Sequence, residues 1–174
     1  MLMTTVLLPF LIAAVLQDPQ VTKPAVPGIT NFARLESTIA CAGATTLEGI
    51  EEVKKLGYRT IINLREASES GANIEESAAA AKNAGIKYVH IPMNRTTPDP
   101  AVADQFLKAI ADPEAQPVFV HCGSGNRAAA MWMIKRMVVD NWDADRAGKE
   151  AEALGLTNAQ MKQFAIDYAA ARKK

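Results

Sequence analysis

Pro117-Val118-Phe119-Val120-His121-Cys122-Gly123-Ser124-Gly125-Asn126-Arg127-Ala128-Ala129-Ala130-Met131-Trp132-Met133-Ile134 places an apolar run, a glycine-rich loop and a helix-forming stretch in that order. A strand that turns through such a loop into a helix aims backbone N–H groups at one point. The helix N-terminus adds about half a positive charge there. Cys122 stands at the entrance of the loop and Arg127 at its exit. A helix N-terminus and a nearby arginine are the surroundings in which a cysteine becomes a nucleophilic thiolate. Arg127 offers a planar fork that can hold two oxygens of an oxyanion. Gly123 and Gly125 allow the close backbone approach that a cradle needs, and Ser124 and Asn126 complete it. His121 reads as a residue that orients the loop from beneath rather than as a general base. The motif therefore predicts an activated cysteine facing an oxyanion.

Outward from this loop, apolar segments alternate with helical ones. Phe32 to Gly43 predicts two short strands or a hairpin. Thr45 to Leu56 has helical period, a threonine cap and Gly57 as its stop. Tyr58 to Leu64 predicts a strand, Ile74 to Ala84 a helix stopped by Gly85, and Ile86 to Pro92 a strand. Pro100 to Ala111 predicts a helix with proline in its first turn. Helices are expected over about 127–139, 143–154 and 157–171. The alternation implies an α/β fold with a mostly parallel central sheet flanked by helices. In such sheets ligands bind beyond the carboxyl ends of the strands. Three segments fall at such ends: Asn63-Leu64-Arg65-Glu66, Pro92-Met93-Asn94-Arg95 and the Cys122 loop.

Composition narrows the function classes. The 174 residues are 49% hydrophobic, enough for one domain with a full core. Lys+Arg and Asp+Glu number 19 each, so the basic face of a nucleic-acid binder is not expected. Two cysteines, Cys41 and Cys122, are too few for a disulfide scaffold or a structural zinc site. No metal and no cofactor are expected.

Residues 1–17 form a separate element. Met1 to Leu16 is nearly all apolar and carries no charged side chain. Its length suits a secretory signal and is short for a membrane span. A secreted or periplasmic protein follows, touching a membrane only where the segment stays uncleaved as an anchor. Residues 18–30, polar and proline-rich, read as a linker, and 31–174 as the catalytic domain.

His121-Cys122-x-x-Gly125-x-Arg127 resembles the signature of cysteine-dependent protein tyrosine and dual-specificity phosphatases. Gly57-Tyr58-Arg59-Thr60-Ile61-Ile62-Asn63-Leu64-Arg65 and Tyr88-Val89-His90-Ile91-Pro92 look like the bacterial phosphatase-like domain also found fused to β-lactamase-fold hydrolases. The resemblance spans about residues 31–140. It implies a three-layer cysteine-phosphatase-like fold and hydrolysis of phosphate monoesters, on a protein or a small molecule. Cys122 would be the nucleophile, and Arg127 and the loop would hold the phosphate.

Three departures keep other readings open. Phosphatases of this kind place five residues between Cys and Arg, whereas four (123–126) stand here. Rhodanese-type sulfurtransferases also use a short loop, so a Cys122 persulfide is an alternative. Ala128 replaces the usual Ser or Thr, which leaves a non-catalytic oxyanion-binding module as another. The family's general acid is an upstream aspartate. Asp99 is the candidate, and it is equally a cap for the helix beginning at Pro100. Asp104 is the weaker one. Arg65 and Arg95 are candidates for positive potential in the pocket. Cys41 is a redox candidate that could pair with Cys122, or a buried core cysteine.

Overall fold

The computed structural model describes residues 20–172. The expected signal or anchor at 1–17 lies outside the described residues. One six-stranded sheet runs in the order β1-β2-β3-β6-β4-β5. Its strands are β1 (Val21–Thr22), β2 (Ala33–Leu35), β3 (Ile39–Ala42), β4 (Thr60–Asn63), β5 (Lys87–His90) and β6 (Val118–His121). The helices are α1 (Leu47–Lys55), α2 (Ile74–Asn83), α3 (Pro100–Ile110), α4 (Asn126–Val138), α5 (Ala144–Ala153) and α6 (Ala159–Arg172). β3, β6, β4 and β5 are mutually parallel, and β1 and β2 extend the sheet antiparallel at one edge.

Alternation along each strand sends side chains to two cores. Ala40, Ala42, Ile61 and Phe119 face Ile50 and Val53 of α1 and Ala81 of α2. Ile39, Cys41, Ile62, Val118, Val120 and Cys122 face the layer built from α3 to α6. With both faces covered, β6 is buried throughout, which explains its unbroken apolar run. α4 is the central helix of its layer. Arg127 to Ile134 are all buried, so its apolar character runs around the helix rather than along one stripe. The chain thus forms three layers, as the alternation of elements implied.

Local signals work as read. The Thr46 hydroxyl accepts from the Gly49 N–H at 3.2 Å. Gly57 and Gly85, at φ +86° and +71°, close α1 and α2 in the left-handed region that favours glycine. The segment read as a linker differs. Val21–Thr22 pairs with Arg34–Leu35, Ile29 is buried, and Ile29 bridges to Val26 and Thr45. Prolines at 24 and 27 give the stretch a linker's composition. Its spaced apolar residues nevertheless cover the β2 edge, which would otherwise present unpaired backbone. Among the described residues no helix is long and apolar enough to cross a membrane.

Candidate active site

The loop after β6 is held on the β3 side by backbone bonds. Cys122 N–H donates to Ala42 O at 3.1 Å, and Ala44 N–H donates to Gly123 O at 3.1 Å. The Asn31 amide donates to Ser124 O at 3.1 Å. Cys122 lies at the loop floor, 1% exposed. Its Sγ accepts the Gly125 N–H at 3.1 Å. Gly125 manages this turn at φ +100°, a conformation that L side chains rarely adopt.

Arg127, in the first turn of α4, is buried among the carboxyl ends of β4 and β5. Its Nη1 donates to Leu64 O at 3.1 Å, to Met93 O at 2.8 Å and to Glu69 Oε1 at 2.6 Å. Its Nη2 donates to Glu69 Oε2 at 2.8 Å. The pair is bidentate, so Glu69 takes the Nη1–Nη2 edge of the guanidinium. Burial works against the Arg127 charge. Hydrogen bonding to Glu69 and the nearness of Cys122 outweigh it and hold Arg127 above its ordinary value. Burial likewise works against the Glu69 carboxylate. The Arg127 hydrogen bonds, the Glu66 N–H and the Arg127 and Arg65 charges prevail and bring it down to about 2.

Glu69 is the residue that the sequence reading missed. It lies 58 positions before Arg127, on the loop between β4 and α2. A carboxylate near one of the two other strand ends was the available signal, because a buried arginine requires a partner. Arg65, a candidate for positive potential in the pocket, builds this loop and acts on the site through Glu69. Its guanidinium donates to Ser70 O at 2.6 Å and Gly71 O at 2.8 Å, and its backbone N–H is held by Asn63 Oδ1 at 2.9 Å. Buried and turned inward, it shapes the segment that presents Glu69.

An open depression of about 540 Å³ lies over this arrangement, with Glu69, Arg95, Thr96, Gly123, Ser124 and Arg127 in its lining. The start of α6 closes one side, where Gln160 donates to Thr96 O at 2.7 Å. Arg95 therefore stands where the sequence reading put it. Asn126 also reaches the depression, but its Oδ1 already accepts from Thr157 N–H, Thr157 Oγ1 and Asn158 N–H at 2.7–3.3 Å. It ties α4 to the α5–α6 connection rather than reserving itself for a ligand. Asn126→Ala is expected to lower stability by about 0.5–1.5 kcal/mol, since it removes the acceptor for Thr157 and Asn158, which are exposed and can turn to water. Chemical denaturation measures that loss.

Asp99 is not among the residues lining the depression. It is exposed and caps α3, accepting from Ala101 N–H at 2.8 Å. Asp104 sits on α3, where it accepts from Tyr168 Oη at 2.7 Å and pairs with Arg172. His121 is buried beneath the loop and stacks on Phe119 at 5.7 Å between centroids. Burial first, then the Arg65, Arg127 and His90 charges, press its pKa down to about 3 against an opposing Gly43 contact. It is neutral at physiological pH and is no proton carrier there.

Cys41 pairs with Val120, two residues before Cys122, so the two cysteines are diagonal neighbours on one face. Both thiols are free. Burial, with Cys122 and Glu150 adding to it, pushes the Cys41 thiol well above its ordinary range. Cys41 is a buried core cysteine here. Among the described residues no group of His, Cys, Asp and Glu is arranged to hold a metal ion.

Residues 27–169 match the family model described as "DSP-PTPase phosphatase fused to NAD+ Kinase". The chain belongs to this family. It is a hydrolase of the dual-specificity and tyrosine phosphatase-like class. A "Beta-lactamase hydrolase-like protein" of Xylella fastidiosa is 33% identical over 125 residues, covering 70% of this chain and 27% of that protein. The chain thus spans about a quarter of that relative's length. The core catalytic domain of the PP-IP phosphatase SIW14 from S. cerevisiae, solved with citrate, superposes with a TM-score of 0.67 at 20% identity. It covers 82% of this chain and 87% of its own. P. aeruginosa TpbA in complex with pTyr gives a TM-score of 0.64 at 20% identity, covering 87% and 90%. These likenesses establish the phosphatase family's fold for the chain.

Proposed function

We propose that this family member is a cysteine-dependent phosphatase acting on phosphate monoesters through a phosphocysteine. The observation that carries the reading is the fixed Arg127 guanidinium at the rim of the loop whose floor is Cys122. Glu69 takes its Nη1–Nη2 edge, which leaves the Nε side of the fork to meet an oxyanion. In the first step the Cys122 sulfur attacks phosphorus, an S–P bond forms, and the P–O bond to the leaving group breaks. The leaving oxygen takes a proton from solvent water, and the water that attacks in the second step returns one to solvent. Water then attacks phosphorus, the S–P bond breaks, and phosphate departs while the thiolate returns. Arg127 and the loop N–H groups hold the equatorial oxygens throughout, where charge develops. That the TpbA complex holds pTyr supports a phosphorylated partner for this chain. Export through residues 1–17 belongs to this proposal and would place the enzyme outside the cytoplasm.

A second reading is favoured by two particular observations. Four residues separate Cys122 from Arg127, and Glu69, the carboxylate in the depression, is committed to Arg127. A Cys122 persulfide that passes its outer sulfur to cyanide or a thiol needs neither a longer loop nor a general acid. Parallel assays of the reduced protein with an aryl phosphate and with thiosulfate plus cyanide decide between them. Phosphate release without thiocyanate supports the phosphatase, and thiocyanate alone replaces it with sulfur transfer.

Asp99→Asn refines the first reading. Asparagine keeps the α3 cap, so the change removes only the carboxyl function. Turnover of an aryl phosphate is expected to stay within about twofold, because Asp99 stands outside the depression. A general acid removed would cost about 10²-fold or more, and a loss of that size would return Asp99 to catalysis.

A further inference from the structure

A second cleft, of about 690 Å³, lies on the other side of the catalytic loop. Ser124 and Asn126 line both it and the Arg127 depression, so the loop crest is the wall that the two share. Ser124 is exposed and stands two residues from Cys122. The cleft differs in chemistry from the depression. Its lining mixes polar side chains, Asn31 and Thr157 among them, with apolar ones: half-buried Val26 and the largely buried Ile29, Phe32 and Leu154. The depression carries Arg95, Arg127 and Glu69, whereas the cleft has one charged lining residue, Lys23. Lys23 is exposed and makes no ion pair with any described residue.

We propose that this cleft is a specificity subsite for the organic body of the substrate. The ligand class is an amphipathic organic anion: an oxyanion at Arg127, an apolar aryl or acyl body crossing Ser124 into the cleft, and a second acidic group meeting Lys23. The inference rests on the proposed phosphatase reading for its substrate, but the cleft stands on its own geometry. It also explains why residues 23–33, proline-rich and exposed along Lys23–Ala25, are folded against the domain. They supply one wall of the cleft and the lining residues Ile29 and Phe32. Small changes in apolar pocket contact alter specificity by about 10–200-fold, so the effect is large enough to read.

The test compares 1-naphthyl phosphate, the same ester bearing a ring carboxylate, and methyl phosphate on wild type, Val26→Glu and Lys23→Glu. Val26→Glu is expected to raise KM for both naphthyl esters about tenfold, with kcat unchanged and methyl phosphate within twofold. Lys23→Glu is expected to act chiefly on the carboxylated ester. A readout independent of turnover uses anilinonaphthalene sulfonate, an apolar body with an anionic group. Its fluorescence should saturate on wild type, fall with naphthyl phosphate as competitor, and weaken in Val26→Glu at a temperature where circular dichroism shows that variant folded. Dye binding that follows this pattern without any phosphate release would retain the subsite and reject only the phosphatase reading. Unaltered KM values together with unaltered dye binding in both variants would overturn the subsite. So would dye that naphthyl phosphate does not displace.

Discussion

Cys122→Ser is expected to abolish turnover of any substrate this site accepts, by about 10³-fold or more, while leaving fold and oxyanion binding in place. Serine fills nearly the same volume at a position that is 1% exposed. The contacts that shape the loop are backbone ones: Cys122 N–H to Ala42 O, Ala44 N–H to Gly123 O, and the Gly43–Ser124 bridge. The Sγ contact from Gly125 N–H can be taken over by a hydroxyl oxygen. What disappears is nucleophilicity, since a hydroxyl with no adjacent base attacks phosphorus or sulfur poorly. Here the neighbouring His121 is buried, turned to Phe119, and, with its pKa pressed down to about 3, too weak a base to serve. Turnover and calorimetric binding of inorganic phosphate, measured on one preparation, test both halves. Residual activity near wild type would remove covalent catalysis by Cys122. Binding without turnover even in the wild type would favour a module that recognises oxyanions and converts none.

The pieces legible in the sequence are those whose cause is contiguous. β6, the loop and α4 occupy one unbroken stretch, so strand, cradle and helix could be read as a unit. Thr46 and Gly57 sit at the ends of the helix they bound. The misread residues depend on partners far along the chain. Asn126 looked like part of a phosphate cradle, yet its carbonyl oxygen serves Thr157 and Asn158. Arg65 is legible as a pocket cation because it ends β4, but its folding back onto Ser70 and Gly71, through which it bears on Glu69, is not. Strand order has the same origin: β6, last in sequence, inserts between β3 and β4. That insertion brings the ends of β4 and β6 side by side and lets the β4–α2 loop reach Arg127. Composition misled once, at residues 18–30, where proline and polarity hid the apolar contacts of Val21, Val26 and Ile29.

Glu69→Ala is expected to lower kcat/KM by about 10²-fold, the scale of a misplaced catalytic group, and to weaken phosphate binding in parallel. Without the carboxylate, Arg127 keeps Leu64 O and Met93 O on Nη1 but loses the only protein acceptor found for Nη2 among the described residues. The guanidinium can then pivot about Nη1, and its fork no longer faces Cys122. Glu69→Gln retains one acceptor but turns an N–H toward an arginine N–H, so its loss should be smaller. Lys at 127 could not restore the geometry in either variant, since it offers a point charge and no fork. The pH dependence separates this positioning role from proton transfer. Glu69 is held at about 2, below its ordinary 4.5. A lowered carboxylate contributes fully above its unfolded value and loses its contribution only as pH falls toward its folded one. The ion pair is therefore complete through the neutral range, and the wild-type to Glu69→Gln rate ratio should stay flat from about pH 5 to 9. A ratio that bends near neutrality would mean that Glu69 gains and gives a proton in the loaded site, and that it acts as the missing acid rather than as the holder of Arg127.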